Sequence, residues 1–182
     1  KLEARFEERP LPRVSIIDMR EQLKKGNRLA LSLELREDLS QCLKKREQAM
    51  LFLNRRGYAG FVSCRSCGHV MKCPHCDVSL SEHNGRKLIC HYCGYETVKP
   101  DKCPVCSSPY IGGFKAGTQQ IQQVVEKEFP EARVLRMDYD TTRAKGSYEK
   151  ILSAFSRHEA DILIGTQMIV KGHDFPDVTL VG

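Results

Sequence analysis

Eight of the nine cysteines in this 182-residue chain stand as four Cys-x-x-Cys pairs: Cys64/Cys67, Cys73/Cys76, Cys90/Cys93 and Cys103/Cys106. Two thiolates separated by two residues can bend around one ion, each reaching about 2.3 Å to zinc. Two pairs complete a tetrahedron, so four pairs predict two closed, all-thiolate sites, each holding a structural Zn²⁺. Gly68 and Gly94 follow the first and third pairs, where a tight knuckle often needs a positive φ; the second and fourth pairs enclose Pro74 and Pro104 instead. Large apolar side chains are few in this stretch, among them Val70, Leu80, Leu88, Ile89, Tyr92 and Tyr95. Such a core is not expected to be stable without metal.

An even cysteine count also fits disulfides. However, the charged, proline-bearing stretch Lys1 to Pro12 lacks the apolar core of a signal peptide. A thioredoxin-like site wants a single pair, and four regular pairs are unusual for an iron–sulfur cluster. Spacing leaves the pairing open. Consecutive pairing closes a first site across residues 68–72, and a crossed scheme joins like knuckles. A nested scheme places Cys73, Cys76, Cys90 and Cys93 in an inner site and Cys64, Cys67, Cys103 and Cys106 in an outer one. The nested scheme is preferred because it brings residues 63 and 107 together, as an insertion into another domain requires. With eight thiolates sufficient, His69, His75, His83 and His91 are expected at the surface or behind the ligands. Cys42 falls in a helical apolar row with Leu35, Leu39 and Leu43, which predicts a buried helix position.

Hydrophobic residues at 41% and charged residues at 29% argue against wholesale disorder. No apolar run approaches the roughly 20 residues of a membrane-spanning helix. The net charge of +6 divides into +5 over residues 1–56, +3 over 57–115 and −2 over 116–182. Basic surface in the first half fits a polyanionic partner, although a solvated mixed-charge surface is the plainer reading.

Outside the cysteines, short apolar runs alternate with amphipathic stretches. Val14–Met19, Ala49–Leu53, Arg133–Met137, Asp161–Gly165 and Val178–Val181 read as strands. One helix runs from a Ser32 cap to about Arg46. A second opens at Gly117-Thr118, carries Ile121, Val124, Val125 and Phe129 on one face, and stops at Pro130. A third contains Tyr148, Ile151, Leu152 and Phe155. This alternation predicts an α/β fold with a parallel sheet. Such sheets gather ligands at strand ends, where Asn54-Arg55-Arg56 and the run from Thr166 to Asp174 offer groups able to hold phosphates. Each alone is a weak motif, for which a solvated turn is the plainer reading.

The order of these pieces resembles the PriA family of bacterial primosomal replication-restart helicases (primosomal protein N′). The stretches that carry the resemblance are Leu51-Phe-Leu-Asn-Arg-Arg-Gly-Tyr58, the four cysteine pairs, Gly117-Thr-Gln119, Asp138-Tyr-Asp-Thr-Thr142 and Asp161-Ile-Leu-Ile-Gly-Thr-Gln-Met-Ile-Val-Lys-Gly-His-Asp-Phe-Pro176. The resemblance implies an ATP-dependent, 3′-to-5′ superfamily-two DNA helicase that recognises stalled or abandoned forks and initiates replication restart. It implies that residues 1–63 and 107–182 are parts of a second RecA-like lobe, with residues 64–106 an inserted zinc-ribbon-type domain. The implied partners are forked and single-stranded DNA, the single-stranded DNA-binding protein, and primosome and helicase-loader proteins. The implied setting is a monomer in the bacterial cytoplasm, at the nucleoid and away from membranes.

Thr166 to Asp174 resembles helicase motif V, and Asn54 to Arg56 lies in the motif IV region. The resemblance therefore implies nucleic-acid or nucleotide-cleft contacts from Arg55, Arg56, Thr118, Thr166, Gln167, Lys171, Gly172 and Asp174. Gln119 stands where the family usually has a glutamate, so no carboxylate role is expected there. Neither a Gly-Lys dipeptide nor an Asp-Glu pair occurs in these residues, which excludes a Walker A loop and a metal-holding helicase box here. ATP and Mg²⁺ chemistry is expected to need another lobe, with motif VI beyond Gly182 and no catalytic residue in this stretch. The module is expected beside the strand-end face, where Tyr92 and Tyr95 stack on unpaired bases or fill its core; a role as a docking platform for the single-stranded DNA-binding protein or the helicase loader is also compatible with the resemblance. The rival reading is a stand-alone zinc-ribbon binding module without a motor, against which the motif V stretch argues. Cysteine-repeat chaperone cofactors place their glycines at other offsets than Gly68 and Gly94.

Overall fold

The computed structural model describes residues 11–53, 61–83, 86–113, 117–169 and 174–182. In chain order, α1 (Met19–Lys24) and α2 (Leu33–Lys44) lead to β1 (Gln48–Phe52). Five three-residue strands follow: β2 (Val62–Cys64), β3 (Ser81–His83), β4 (Lys87–Ile89), β5 (Glu96–Val98) and β6 (Ile111–Gly113). The chain continues through α3 (Thr118–Glu128), β7 (Val134–Met137), α4 (Ser147–Ser156), β8 (Ile162–Gly165) and β9 (Val178–Val181).

The larger body is a four-stranded parallel sheet in the order β7-β8-β1-β9, with helices on both faces. Alternate strand residues choose the face. Ala49, Leu51, Ile162 and Ile164 pack with Leu39 of α2 and with Ile121 and Val125 of α3. Leu163 and Met137 pack with Phe155 of α4 on the other side. Covered on both faces, β8 reads as an unbroken apolar run. The α2 cap is as its sequence predicts, with the Ser32 hydroxyl accepting the Leu35 N–H at 3.0 Å. Cys42 is buried on α2, and burial pushes its thiol pKa up. Among the described residues, no helix is long and apolar enough to cross a membrane.

Val14–Met19 is not a strand. Val14 and Ile16 are 81% and 95% exposed, and no described strand lies beside them. An apolar run becomes a strand only where a neighbour takes its ladder hydrogen bonds. Here the Asp18 carboxylate instead accepts the Arg20 N–H and starts α1 at Met19.

The smaller body is the cysteine module. Antiparallel pairing of β2 with β6 sets Val62 against Gly113 and Cys64 against Ile111, closing the module at its base. Beyond it, β3, β4 and β5 form a short antiparallel meander. Val62, Leu80, Leu88 and Ile111 are its buried apolar residues, together with Cys64, Cys73, Cys90 and Cys103.

Candidate metal centre

All four knuckles adopt one backbone geometry. In each, the N–H four residues after the first cysteine returns to that cysteine's carbonyl: Gly68 to Cys64, Asp77 to Cys73, Gly94 to Cys90 and Ser107 to Cys103, at 2.9–3.0 Å. The first cysteine's own N–H then bonds the carbonyl of the next residue: His69, Val78, Tyr95 and Ser108 respectively, each at 2.8 Å. Closing so tight a loop forces a left-handed residue at the fourth place, with φ of 80° at Gly68, 55° at Asp77, 76° at Gly94 and 56° at Ser107. Glycine adopts this region freely, and aspartate tolerates it better than most side chains.

The knuckles join in the nested way. The Sγ atoms of Cys64, Cys67, Cys103 and Cys106 all lie within 4.8 Å of one another, as do those of Cys73, Cys76, Cys90 and Cys93. Measured pairs are 3.6 Å (Cys64–Cys106), 3.7 Å (Cys67–Cys103) and 3.5 Å (Cys73–Cys93). These are too long for a disulfide. They match the edge of a thiolate tetrahedron around zinc, roughly 3.8 Å for Zn–S bonds of about 2.3 Å. Side chains reinforce each pairing: the Ser66 and Ser108 hydroxyls meet at 2.7 Å, and His75 packs edge-on to Tyr95 with centroids 5.3 Å apart.

The electrostatics of the thiols point the same way. Burial opposes ionisation of Cys64, yet the N–H groups of Cys67 and Ser66 hold its pKa down to about 6. The Cys93 N–H, against burial, holds Cys90 at about 7. Cys76 is pushed up to about 12, first by Cys93. Cys106 also reaches about 12: the Ser108 N–H lowers it, but burial and the three neighbouring thiols prevail. The backbone thus favours thiolates, while their crowding forbids four negative charges without a cation. The donor set therefore fits two structural metal ions.

The module is tied to the sheet body through its first knuckle. The Arg65 guanidinium donates to the carbonyls of Arg28 at 2.8 Å and Leu29 at 3.3 Å, and Arg28 lies over the Tyr110 ring at 5.5 Å. Asp77, Glu82, Glu96 and Asp101 pair with Lys72, Lys99, Lys87 and Arg86 respectively. The +3 balance over residues 57–115 therefore rests on Arg65, Lys102 and Lys115, of which Lys115 lies outside the described residues. Tyr92 is 84% exposed, whereas Tyr95 packs against the module core, so the two tyrosines have different settings.

The residues expected to meet nucleic acid or nucleotide divide. Arg55, Arg56, Lys171 and Gly172 lie outside the described residues. Thr118 begins α3, is buried, and donates its hydroxyl to the Asp138 carboxylate at the end of β7. Thr166 follows β8 and gives its N–H to the Met137 carbonyl at 3.4 Å, so Thr118 and Thr166 approach the same strand end. Gln167 and Asp174 are exposed. Gly165 permits this approach, because a Cβ there would sit 2.7 Å from the Met137 oxygen and 2.6 Å from Ile169.

Asp138, just past β7, is the residue of this strand end that sequence reasoning left without a role. Besides Thr118, it accepts the Thr141 N–H at 3.0 Å and lies 3.2 Å from the Arg136 guanidinium. Burial pushes its carboxyl up, but these partners together hold it below the usual carboxylate range. The signal for it was the Asp-x-x-Thr spacing at a strand end, a local side-chain-to-backbone motif.

Residues 73–97 match the family described as the PriA DNA helicase Cys-rich region (CRR) domain, a span holding all four inner thiols. Over its whole length the chain is 55% identical to the replication restart protein PriA of Bacillus subtilis (strain 168), covering 23% of that relative. It is 50% identical to the replication restart protein PriA of Synechocystis sp. (strain ATCC 27184 / PCC 6803 / Kazusa), again along the whole chain and covering 22% of the relative. The same comparison with the replication restart protein PriA of Borreliella burgdorferi gives 32% identity over the whole chain and 26% of the relative. The chain thus spans about a quarter of the length of the curated relatives it matches. From end to end, these residues belong to the PriA family of replication restart proteins.

Proposed function

We propose that this chain is the zinc-carrying part of the second motor lobe of an ATP-dependent, 3′-to-5′ DNA helicase that reloads replication at stalled or abandoned forks. The observation that carries the reading is similarity along the whole chain to a replication restart protein at 55% identity, embracing both the cysteine module and the segment from Thr166. In this reading residues 1–63 and 107–182 form the lobe, and residues 64–106 form an insertion holding two structural Zn²⁺ ions. Cys64, Cys67, Cys103 and Cys106 hold one ion; Cys73, Cys76, Cys90 and Cys93 hold the other. Tetrahedral spacing of the sulfurs, with no further donor in either cluster among the described residues, favours zinc in a closed, structural role.

In the same reading Arg55, Arg56, Thr118, Thr166, Gln167, Lys171, Gly172 and Asp174 link single-stranded DNA to the nucleotide cleft. ATP and Mg²⁺ are bound chiefly by the first lobe, so these residues alone do not hydrolyse ATP. The parent acts on forked DNA in the bacterial cytoplasm, with the single-stranded DNA-binding protein and helicase-loading proteins as partners. Parallel-sheet geometry supports this placement, since Thr118, Asp138 and Thr166 meet where such sheets bind ligands. The test is made in the full-length protein. Thr166→Ala or Lys171→Ala should lower DNA-stimulated ATP hydrolysis more than basal hydrolysis. Equal loss of both rates would assign these residues to nucleotide alone, and no loss of either would remove them from the motor.

A further inference from the structure

Outside the sulfur clusters, the module brings two imidazole rings together. His83 ends β3, and His91 sits between the two thiols of the third knuckle. Their Nε2 atoms face each other at 3.0 Å, with ring centroids 4.9 Å apart and planes inclined at 67°. His91 is exposed and His83 half-buried, so the space at the two nitrogens is open to solvent. Backbone hydrogen bonds fix the chain positions from which both rings project. His83 pairs with Lys87 in the β3–β4 ladder, and the third knuckle is closed by the Gly94-to-Cys90 and Cys90-to-Tyr95 hydrogen bonds.

Two imidazole nitrogens this close share either one proton or one cation. With a shared proton, one ring donates and the other accepts. With a shared cation, both present lone pairs. Metal–nitrogen bonds of about 2.0–2.1 Å place two nitrogens roughly 2.9 Å apart across a right angle and roughly 3.4 Å apart across a tetrahedral one. The observed 3.0 Å lies within that range. The sulfur clusters have no need of these rings, since each already has four donors. We propose that His83 and His91 form a third, exchangeable site for a borderline divalent ion such as Zn²⁺, Co²⁺ or Ni²⁺. The two imidazoles supply adjacent ligands, and water fills the remaining positions. The donor set excludes Mg²⁺ and Ca²⁺, which require oxygen. Having only two protein ligands, this site releases its ion long before the sulfur sites do.

The test uses the chain with both sulfur sites loaded and loose metal removed. Zn²⁺ is titrated calorimetrically while the imidazole nitrogens are followed by NMR. About one further equivalent should bind, moving the Nε2 signals of His83 and His91 together. His83→Gln and His91→Gln should each weaken that equivalent at least about tenfold and leave the sulfur-bound zinc in place, whereas His158→Gln should leave it unchanged. Failure to bind a further equivalent overturns the proposal, as does its persistence in both variants. An unchanged Nε2–H···Nε2 pair at saturating Zn²⁺ overturns it equally, by assigning the contact to a plain hydrogen bond. If a variant loses sulfur-bound zinc, the NMR response of the unsubstituted chain decides.

Discussion

In the sheet body, β8 buries all four of its residues, and Leu39, Val125 and Phe155 are fully enclosed around it. In the module the strands are three residues long, and among the described residues the buried apolar side chains beside the cysteines are Val62, Leu80, Leu88 and Ile111. The sheet body is held by apolar area removed from water on both faces, a non-directional force that tolerates imprecise fit. The module has too little of that area, and its order depends on four identical knuckles delivering thiols to two points. One region therefore answers to core packing, and the other answers to metal and to backbone geometry.

The largest effect that separates them is metal removal. Structural zinc contributes on the order of 10 kcal/mol to the fold of such small domains. Chelation, or Cys73→Ala, should abolish amide-exchange protection in β3, β4 and β5 while leaving β1 and β8 protected. Simultaneous loss of protection in β8 would mean that the two regions are one cooperative unit. The converse perturbation is Phe155→Ala, which leaves a cavity beneath α4 and should destabilise the sheet body by about 3–5 kcal/mol. Bound zinc per folded chain should not change.

A smaller effect tests the strand-end carboxylate. Asp138 is held below the usual carboxylate range, so it contributes stability above its unfolded pKa of about 3.9. That contribution is lost as pH falls through the lower folded value. Asp138→Asn keeps the shape but should cost about 1–3 kcal/mol at neutral pH and flatten the acid limb of the sheet body's stability, measured by denaturation monitored at β7 and β8. An unchanged acid limb would place the linkage elsewhere. Smallest is Gly68→Ala, which imposes a left-handed alanine at φ of 80° and should weaken the outer site by roughly 1 kcal/mol. The competition midpoint with a chelator reads this directly, and a larger loss would mean that the added methyl, which would sit 3.9 Å from the Arg20 side chain, also displaces that side chain.

The same contrast explains what was legible in the sequence. The sheet strands and helices declared themselves because each apolar run has a packing partner: β9 coincides with the predicted Val178–Val181, and β8 lies inside Asp161–Gly165. Val14–Met19 has the same local composition and no ladder partner, which no local pattern records. In the module, the cysteine spacing gave the number of clusters, but the pairing depended on the chain having to return to its start, as β2 and β6 do. The left-handed places at Asp77 and Ser107 become visible only when the four knuckles are superposed and fall in line with Gly68 and Gly94. The partnership of Thr118 with Asp138 joins residues 20 apart in sequence and depends on the parallel register bringing α3 to the end of β7.

The most direct test of the account is the metal itself. Elemental analysis together with zinc K-edge absorption should give about two zinc ions per chain, each with four sulfur neighbours at about 2.3 Å and no nitrogen or oxygen in the closed sites. One ion per chain, iron in place of zinc, or nitrogen or oxygen replacing sulfur at either cluster would contradict it.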